Sequence, residues 1–512
     1  MLFHSILFRN TTEALTEIQK TPASFRDLNL DQVIDAVTTD WTGYNIRPFF
    51  YSPLTDVNSI TYRQEIFQDL EDASFQQSIR RFSVQMQEMR KSLSKATEFS
   101  EFQYAAERWF LCAVECYIAG ITILSQAFGS SPVKSEGLTA LREYLNAYIN
   151  SANFRELSTE TKRCSTALSS IQYCVLLKDG DIAVSRYNDD LDYSSAVDYA
   201  FARFRPMDGG GRRTPRHKPP DMNHVQAQVL GRLAQLYPEA FAALSQFHSS
   251  HCRDYIDETV ARFDREIQFY VSYLTFLDKL RRSGLTFSRP QISQSSKEIR
   301  CHNAFDIALA HHLLGQRAKV VPNDFHLIGT ERILVVSGPN QGGKTTFARM
   351  CGQMHFLARL GCPVPGTDVN LFLTDHIFTH FERREDIRSM RGKLQEDLVC
   401  VRHILDRATS QSLIVMNELF SSTTITDASY LSTKIMEQIS QLDALCVWVT
   451  FLDELASFNT KTVSMVGTVD PENPAVRTYK IERQPANGLA YALALALKHR
   501  VTYGCLRERF RG

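Results

Sequence analysis

Ile333-Leu334-Val335-Val336-Ser337-Gly338-Pro339-Asn340-Gln341-Gly342-Gly343-Lys344-Thr345 is an apolar run that breaks into a glycine-rich turn ending in Lys-Thr. The run predicts a buried strand and the turn a phosphate-binding loop. Gly338, Gly342 and Gly343 let backbone N–H groups curl about an anion that side chains would obstruct. Lys344 has the reach to touch the β- and γ-phosphates of a nucleoside triphosphate, and the Thr345 hydroxyl suits a place on a magnesium ion. A helix over 345–360, closed by Gly361, is expected to follow with its positive N-terminal end aimed at the same anion. The expected contacts of ATP are Gly338, Pro339, Asn340, Gln341, Gly342, Gly343, Lys344, Thr345 and Thr346, with Mg2+ as the accompanying ion.

Around this loop, from about residue 331, apolar runs at 413–416, 445–450, 463–469 and 479–481 alternate with helical patterns. That predicts an α/β domain with a mostly parallel sheet. The 412–416 run ends in Asn417-Glu418, where P-loop enzymes usually carry Asp-Glu. The Asp of such a pair holds magnesium through water and the Glu orients the attacking water. Glu418 is therefore expected to be catalytic together with Lys344. Asn417 joins Thr345 as a metal-side residue whose amide oxygen brings no charge, so hydrolysis is expected to be slow.

Upstream, Phe75, Ile79, Phe82, Met86, Met89 and Leu93 alternate spacings of four and three. Phe263, Ile267, Tyr270, Leu274 and Leu277 do the same ahead of Gly284. Each set predicts a long helix with one apolar seam, packed within the chain, and Gly284 is a candidate C′ residue. Residues from about 55 to 285 thus form an elongated helical domain. It is interrupted at 173–195, where Lys178-Asp179-Gly180-Asp181 signals a hairpin. A Gly- and Pro-rich stretch at 203–220 follows, with Arg203, Arg205, Arg212, Arg213, Arg216 and Lys218 set against Asp208. Arg205, Arg212, Arg213, Arg216 and Lys218 are candidate DNA contacts through the phosphates, and a solvated surface loop is the alternative.

The 512 residues allow about two to four domains. Lys plus Arg equals Asp plus Glu at 57 each, so nucleic-acid contact must come from local patches. Eleven cysteines without a C-x-x-C pair fit reduced thiols in a cytoplasmic protein and argue against zinc. Residues 1–8 are too short for a signal h-region and lack a basic start. The stretch 109–128 has the length of a membrane span but carries Glu115 near its middle, so a buried helix and no membrane are expected.

Several stretches resemble the MutS family of DNA mismatch repair ATPases, an ABC-type group. They are the loop at 338–345, Val321-Pro322-Asn323-Asp324 ahead of it, and Ile404-Leu405-Asp406-Arg407-Ala408-Thr409 leading to 412–418. Ser421-Ser422-Thr423-Thr424 with Asp427 follows, and Ser52-Pro53-Leu54-Thr55-Asp56-Val57-Asn58-Ser59-Ile60-Thr61-Tyr62-Arg63-Gln64 resembles the start of the family's helical core. The resemblance implies a multidomain chain. A short N-terminal segment (1–45) would precede an elongated, mainly helical core or lever domain (46–300) with a reduced clamp insertion at about 173–220. An α/β P-loop ATPase domain of ABC type would occupy 301–512. It also implies a homodimer that sandwiches ATP, mismatched or branched DNA as ligand, and repair proteins as partners.

Departures from the family pattern accompany the likeness. The family's mismatch reader carries Phe-x-Glu. Phe99-Ser100-Glu101 and Phe154-Arg155-Glu156 match those letters only within the helical domain and are taken as chance, so neither a mismatch-reading domain nor a C-terminal nuclease is expected. A family His aligns with Phe451, and the signature serine that reaches the opposite nucleotide aligns with Gly392. The Gly392 amide with Lys393 or Arg391 is expected there instead. Two other function classes stay open: an ABC-type switch acting on a protein partner, and a nucleotide-binding scaffold with little turnover.

Overall fold

The computed structural model describes residues 3–9, 20–178, 181–187, 224–316, 318–381, 392–473, 476–486, 501–503 and 506–507. Helices α1 (Leu30–Thr38), α2 (Arg47–Tyr51) and α3 (Val57–Asp69) lead into a long helical hairpin of α4 (Ala73–Glu98) and α5 (Gln103–Ser130). Asp72 starts α4 by accepting the Phe75 amide at 2.8 Å. As the spacing predicts, α4 buries Phe75, Ile79, Phe82, Met86 and Met89, with Leu93 half-buried. Helix α5 contains the membrane-length stretch. It runs along α4 and buries Phe110, Leu111, Val114, Tyr117, Ile121 and Leu124, while Glu115 pairs with Arg108.

Helices α6 (Glu136–Ile149) and α7 (Ala152–Ser169) come next, then the antiparallel hairpin β1 (Tyr173–Lys178) and β2 (Asp181–Arg186). Phe154 is buried at the start of α7 and Phe99 is the C-cap of α4, as befits residues internal to a helical domain. Helices α8 (His224–Leu236), α9 (Pro238–His251) and α10 (Glu258–Arg281) complete this part.

Helix α10 corrects the expectation of one apolar seam. It buries Phe263, Ile267, Tyr270, Leu274 and Leu277, and also Asp264, Glu266, Gln268, Phe269, Tyr273 and Phe276. A helix buried on all sides is a central axis, not a surface helix. The far side is covered by the N-terminal segment. Ser5 donates to Glu266, the Ile6 amide donates to Glu266 Oε2 at 2.9 Å, and Tyr270 donates to the Ile6 carbonyl at 2.6 Å. Ile6 and Leu7 are fully buried, and the Arg63 Nε donates to the Leu7 carbonyl. Gly284 has the positive φ expected of it, +84°, two residues beyond the helix cap.

Sheet structure begins with β3 (Phe287–Ser288), β4 (Gln291–Ser293) and β5 (Ile299–Ala304), followed by α11 (Ile307–His312), β6 (Asn323–Leu327) and β7 (Ile333–Ser337). Then come α12 (Lys344–Arg359), β8 (Val364–Pro365), β9 (Thr367–Phe372), β10 (Ile377–Phe381) and α13 (Lys393–Arg407). The chain continues through β11 (Leu413–Asn417), α14 (Ile425–Leu442), β12 (Leu445–Val449), β13 (Thr462–Val469) and β14 (Arg477–Arg483).

Six of these strands form one sheet in the order β10-β11-β12-β7-β13-β14, parallel except at the β13–β14 pair. A second sheet, β4-β9-β5-β6, lies outside what the apolar runs predicted. Strands β7, β11 and β12 are buried at every position, as parallel strands covered on both faces must be. Their residues alternate between two cores. Leu334, Val336, Val415 and Val447 join the α12 side, while Ile333, Val335, Ile414, Met416 and Trp448 join the side of α13 and α14. The first of these cores is continuous with that of the helical part.

Candidate functional site

Strand β7 ends at the C-terminal edge of the large sheet, and the chain must reverse into α12 within six residues. Gly338 and Gly343 meet this demand with φ of +116° and +94°. A Cβ at Gly338 would lie 2.8 Å from the Gly467 nitrogen, and one at Gly342 would lie 2.9 Å from the Pro339 oxygen. The loop is therefore a backbone cradle with no room for side chains. Gly343 caps α12 without a side chain, so the first N–H groups of the helix remain available to an anion.

Lys344 is buried within this cradle. Its Nζ donates to the carbonyls of Gly338 (3.0 Å) and Pro339 (3.1 Å) and to Asn340 Oδ1 (3.4 Å). All three acceptors are neutral. Burial lowers the pKa of Lys344, Glu418 works against that, and Arg477 adds to it. A buried ammonium held only by neutral groups favours an incoming anion.

Thr345 donates from Oγ1 to Asn417 Oδ1 at 2.8 Å, joining the first turn of α12 to the end of β11. Glu418 follows with φ +53°, fixed by its amide donating to the Val449 carbonyl at 2.9 Å. Together with residues 341–347, Glu418 lines a cavity of about 470 Å³. Leu309, Leu313, Val320, Val321 and Met350 add apolar surface to its lining, beside the polar Asp306, Lys319 and Asn323. The cavity thus offers a cation, helix amides and a carboxylate together with apolar surface that suits a flat ring.

Thr345 and Asn417 supply a hydroxyl and an amide oxygen, with Glu418 the acid in the same cavity. That neutral pair fits a magnesium ion that takes most of its ligands from water and phosphate.

Of the residues the sequence singled out, Gln341, Gly342, Gly343, Lys344, Thr345, Thr346 and Glu418 line the cavity together, with Asn417 bonded to Thr345. Gly338, Pro339 and Asn340 stand behind it as partners of Lys344, and Arg477 donates to the Asn340 carbonyl at 3.2 Å. Gly392 caps α13 with open space around it, and Lys393 donates to Ser421 at 3.1 Å, so neither lines the cavity. Phe451 is half exposed and does not line it either. Arg205, Arg212, Arg213, Arg216, Lys218 and Arg391 lie outside the described residues.

Four residues went without a role in the sequence reading. Tyr479 lines the cavity with φ +58°, and Asn323 holds it in place. The Asn323 Nδ2 donates to the Tyr479 carbonyl at 3.2 Å, and Asn323 Oδ1 accepts the Ile481 amide at 2.7 Å. The Val-Pro-Asn-Asp stretch was the signal available for that clasp. His380 and Asp397 form a half-buried pair at 2.9 Å, and Asp397 also accepts the Phe420 amide just past Glu418. Burial alone would lower His380, but its hydrogen bonds to Asp397 and Cys400 outweigh this and raise its pKa to about 9.

The sequence model of MutS domain V matches residues 334–497. The DNA mismatch repair protein MutS of Petrotoga mobilis is 28% identical over 195 residues, covering 38% of this chain and 23% of that protein. MutS of Brevibacillus brevis is 29% identical over 186 residues (36% and 21%), and mouse DNA mismatch repair protein Msh3 is 29% identical over 178 residues (34% and 16%). The chain spans about a fifth of the length of the curated relatives it matches. The cradle, α12, Asn417 and Glu418 all lie inside the matched stretch, so the part of the chain that holds the site is similar to MutS domain V.

Proposed function

We propose that this protein binds ATP with magnesium at the β7 loop, hydrolyses it slowly, and uses it to drive a dimeric clamp on mismatched, branched or distorted DNA in repair or recombination. The observation that carries the reading is the Thr345–Asn417 hydrogen bond beside Glu418 in the cavity that Lys344 closes. In this reading Lys344 and the amides of residues 341–345 hold the phosphates, and the apolar surface takes the adenine. Thr345 and Asn417 would hold magnesium, which would neutralise phosphate charge. Glu418 orients a water and accepts its proton. Asn417 lends no charge to the ion, which favours slow turnover.

A second copy covering the C-terminal edge of the sheet is part of the proposal. Ile425 (71% exposed), Tyr430 (64%) and Phe451 (49%) lie on or beside the elements that leave this edge after Glu418 and β12. In that arrangement Gly392 and Lys393 meet the opposite nucleotide. The domains proposed are an N-terminal segment (1–45), a helical lever (46–300) with its clamp insertion at 173–220, and the ATPase (301–512). Movement of α12 has a mechanical route to the lever. Arg349 and Gln353 on α12 donate to the carbonyls of Asp27 and Leu28, and residues 3–8 of the same N-terminal segment grip α10. The matched relatives are named for DNA mismatch repair, which supports a DNA ligand, and a cytoplasmic setting with repair partner proteins is part of the same proposal.

The test is steady-state ATP hydrolysis with and without duplex, mismatched and four-way-junction DNA at two salt concentrations. Stimulation by one DNA form, weakening steeply with salt, is the expected result. A rate indifferent to DNA would favour a switch on a protein partner. The neutral Asn417 specifically favours a nucleotide-binding scaffold, and a wild-type rate equal to that of Glu418→Gln would establish that alternative.

A further inference from the structure

A second cavity, of about 1000 Å³, lies between the N-terminal segment, the α2–α3 connection and β10, the edge strand of the large sheet. It shares no lining residue with the phosphate-loop cavity. Arg359, the last residue of α12, and Thr374, ahead of β10, form its floor at 6% and 1% exposure. Among the described residues no acid forms an ion pair with Arg359, and its one side-chain hydrogen bond is Nε to the Leu54 carbonyl at 3.3 Å. Asp375 is the acid whose field reaches it, but that carboxylate already accepts from Thr409, Ser412 and the His376 amide. Burial pushes Arg359 down to about 10 despite Asp375. The Thr374 hydroxyl is buried with no partner among the described residues.

A buried guanidinium with no ion pair among the described residues and an unsatisfied hydroxyl lining the same cavity are costly unless something occupies the space they face. The walls indicate the rest of that occupant. Tyr51, Phe356 and Phe378 line the cavity, and His376 stacks on Phe378 at 5.7 Å with rings 19° apart. His403 and Arg407 are exposed at the rim, and the Arg407 guanidinium lies 6.0 Å from the Phe378 ring centre. The volume and the mix of apolar walls with a few placed polar groups are those of a small-molecule site.

We propose that this cavity binds a small organic anion with a flat apolar body, its charged group on Arg359 and Thr374 and its ring among Tyr51, Phe356 and Phe378. The site stands at the opposite end of α12 from Lys344, about 22 Å away along the helix. An occupant there touches the same helix that carries the phosphate cradle.

Fluorescence titration of the full chain with anilinonaphthalene sulfonate, a flat aromatic anion, tests this. The expected result is one saturable site per chain. Arg359→Met should weaken it by about tenfold or more, the worth of one charge-assisted hydrogen bond. Arg407→Glu, at the exposed rim, should weaken it several-fold, and it keeps the test open if Arg359→Met does not fold. Lys344→Ala should leave it unchanged. No saturable binding, or binding that both arginine variants leave intact, would overturn the proposal. Loss only in Lys344→Ala would overturn it too, placing the probe in the phosphate-loop cavity.

Discussion

Thr345 Oγ1 lies 2.8 Å from Asn417 Oδ1, so the first turn of α12 and the last residue of β11 act as one unit although 72 positions separate them. Both groups are neutral, with the charged Lys344 next to Thr345 in the chain and Glu418 next to Asn417. In the proposed function this contact sets how firmly the site holds a divalent ion.

Asn417→Asp adds a negative charge at that point. The magnesium concentration for half-maximal ATP binding should fall about tenfold while the fold is unchanged. A magnesium titration of ATP binding measures this, and an unaltered midpoint would place the residue outside the metal shell.

Lys344→Ala removes the ammonium that the loop carbonyls surround. ATP affinity should drop by about 100-fold or more, as expected for losing a charge-assisted contact in a buried site. Calorimetric titration reads it directly, and tight binding in the variant would refute the site.

Glu418→Gln keeps the shape of the side chain but removes the carboxylate proposed as the base. The hydrolysis rate should fall about 100-fold with ATP binding intact. Single-turnover rates against equilibrium binding separate the two effects.

Glu266 provides a stability test. It is 4% exposed, and burial raises its carboxyl from the ordinary 4.5 to about 7, although the Ile6 amide and Ser5 hydroxyl act to lower it. The folded chain then keeps a proton that the unfolded chain releases. Stability should decline as pH rises from about 4.5 to about 7, by roughly 3 kcal/mol in all, and stay level above that. Urea unfolding at about pH 5 and about pH 7.5 should show this decline in the wild type and much less of it in Glu266→Gln.

Gly361→Ala should destabilise the fold by about 2–4 kcal/mol. Gly361 has φ +75°, and an added Cβ would meet the Arg63 Cβ at 2.7 Å and the Ile60 carbonyl at 3.1 Å. Arg63 is itself fully buried, so it has little room to yield. Chemical denaturation of the variant checks the figure.

Much of the architecture was legible from spacing. The 333–337 run, the glycines after it and Gly361 behind the helix each announce a local conformation. The β11 end was placed well enough to identify Asn417 and Glu418 before any partner was known. The four-three spacing of α4 described its buried face. The same spacing misdescribed α10, because periodicity records only the most apolar stripe and cannot register that residues 3–8 cover the opposite side.

By itself, then, the sequence determined strands β7, β11 and β12, helices α4 and α12, the cradle and the chemistry available at its mouth, since each depends on steric and hydrogen-bonding preferences within a few residues. Only the tertiary structure decided which distant groups meet. The order β10-β11-β12-β7 brought Asn417 to Thr345, the β6–β14 clasp set Tyr479 against the loop, and the packing around the end of α12 left Arg359 lining a second cavity with no ion pair among the described residues. Such meetings follow from the summed burial of many faces, each contributing little, and no local stretch of chain encodes them.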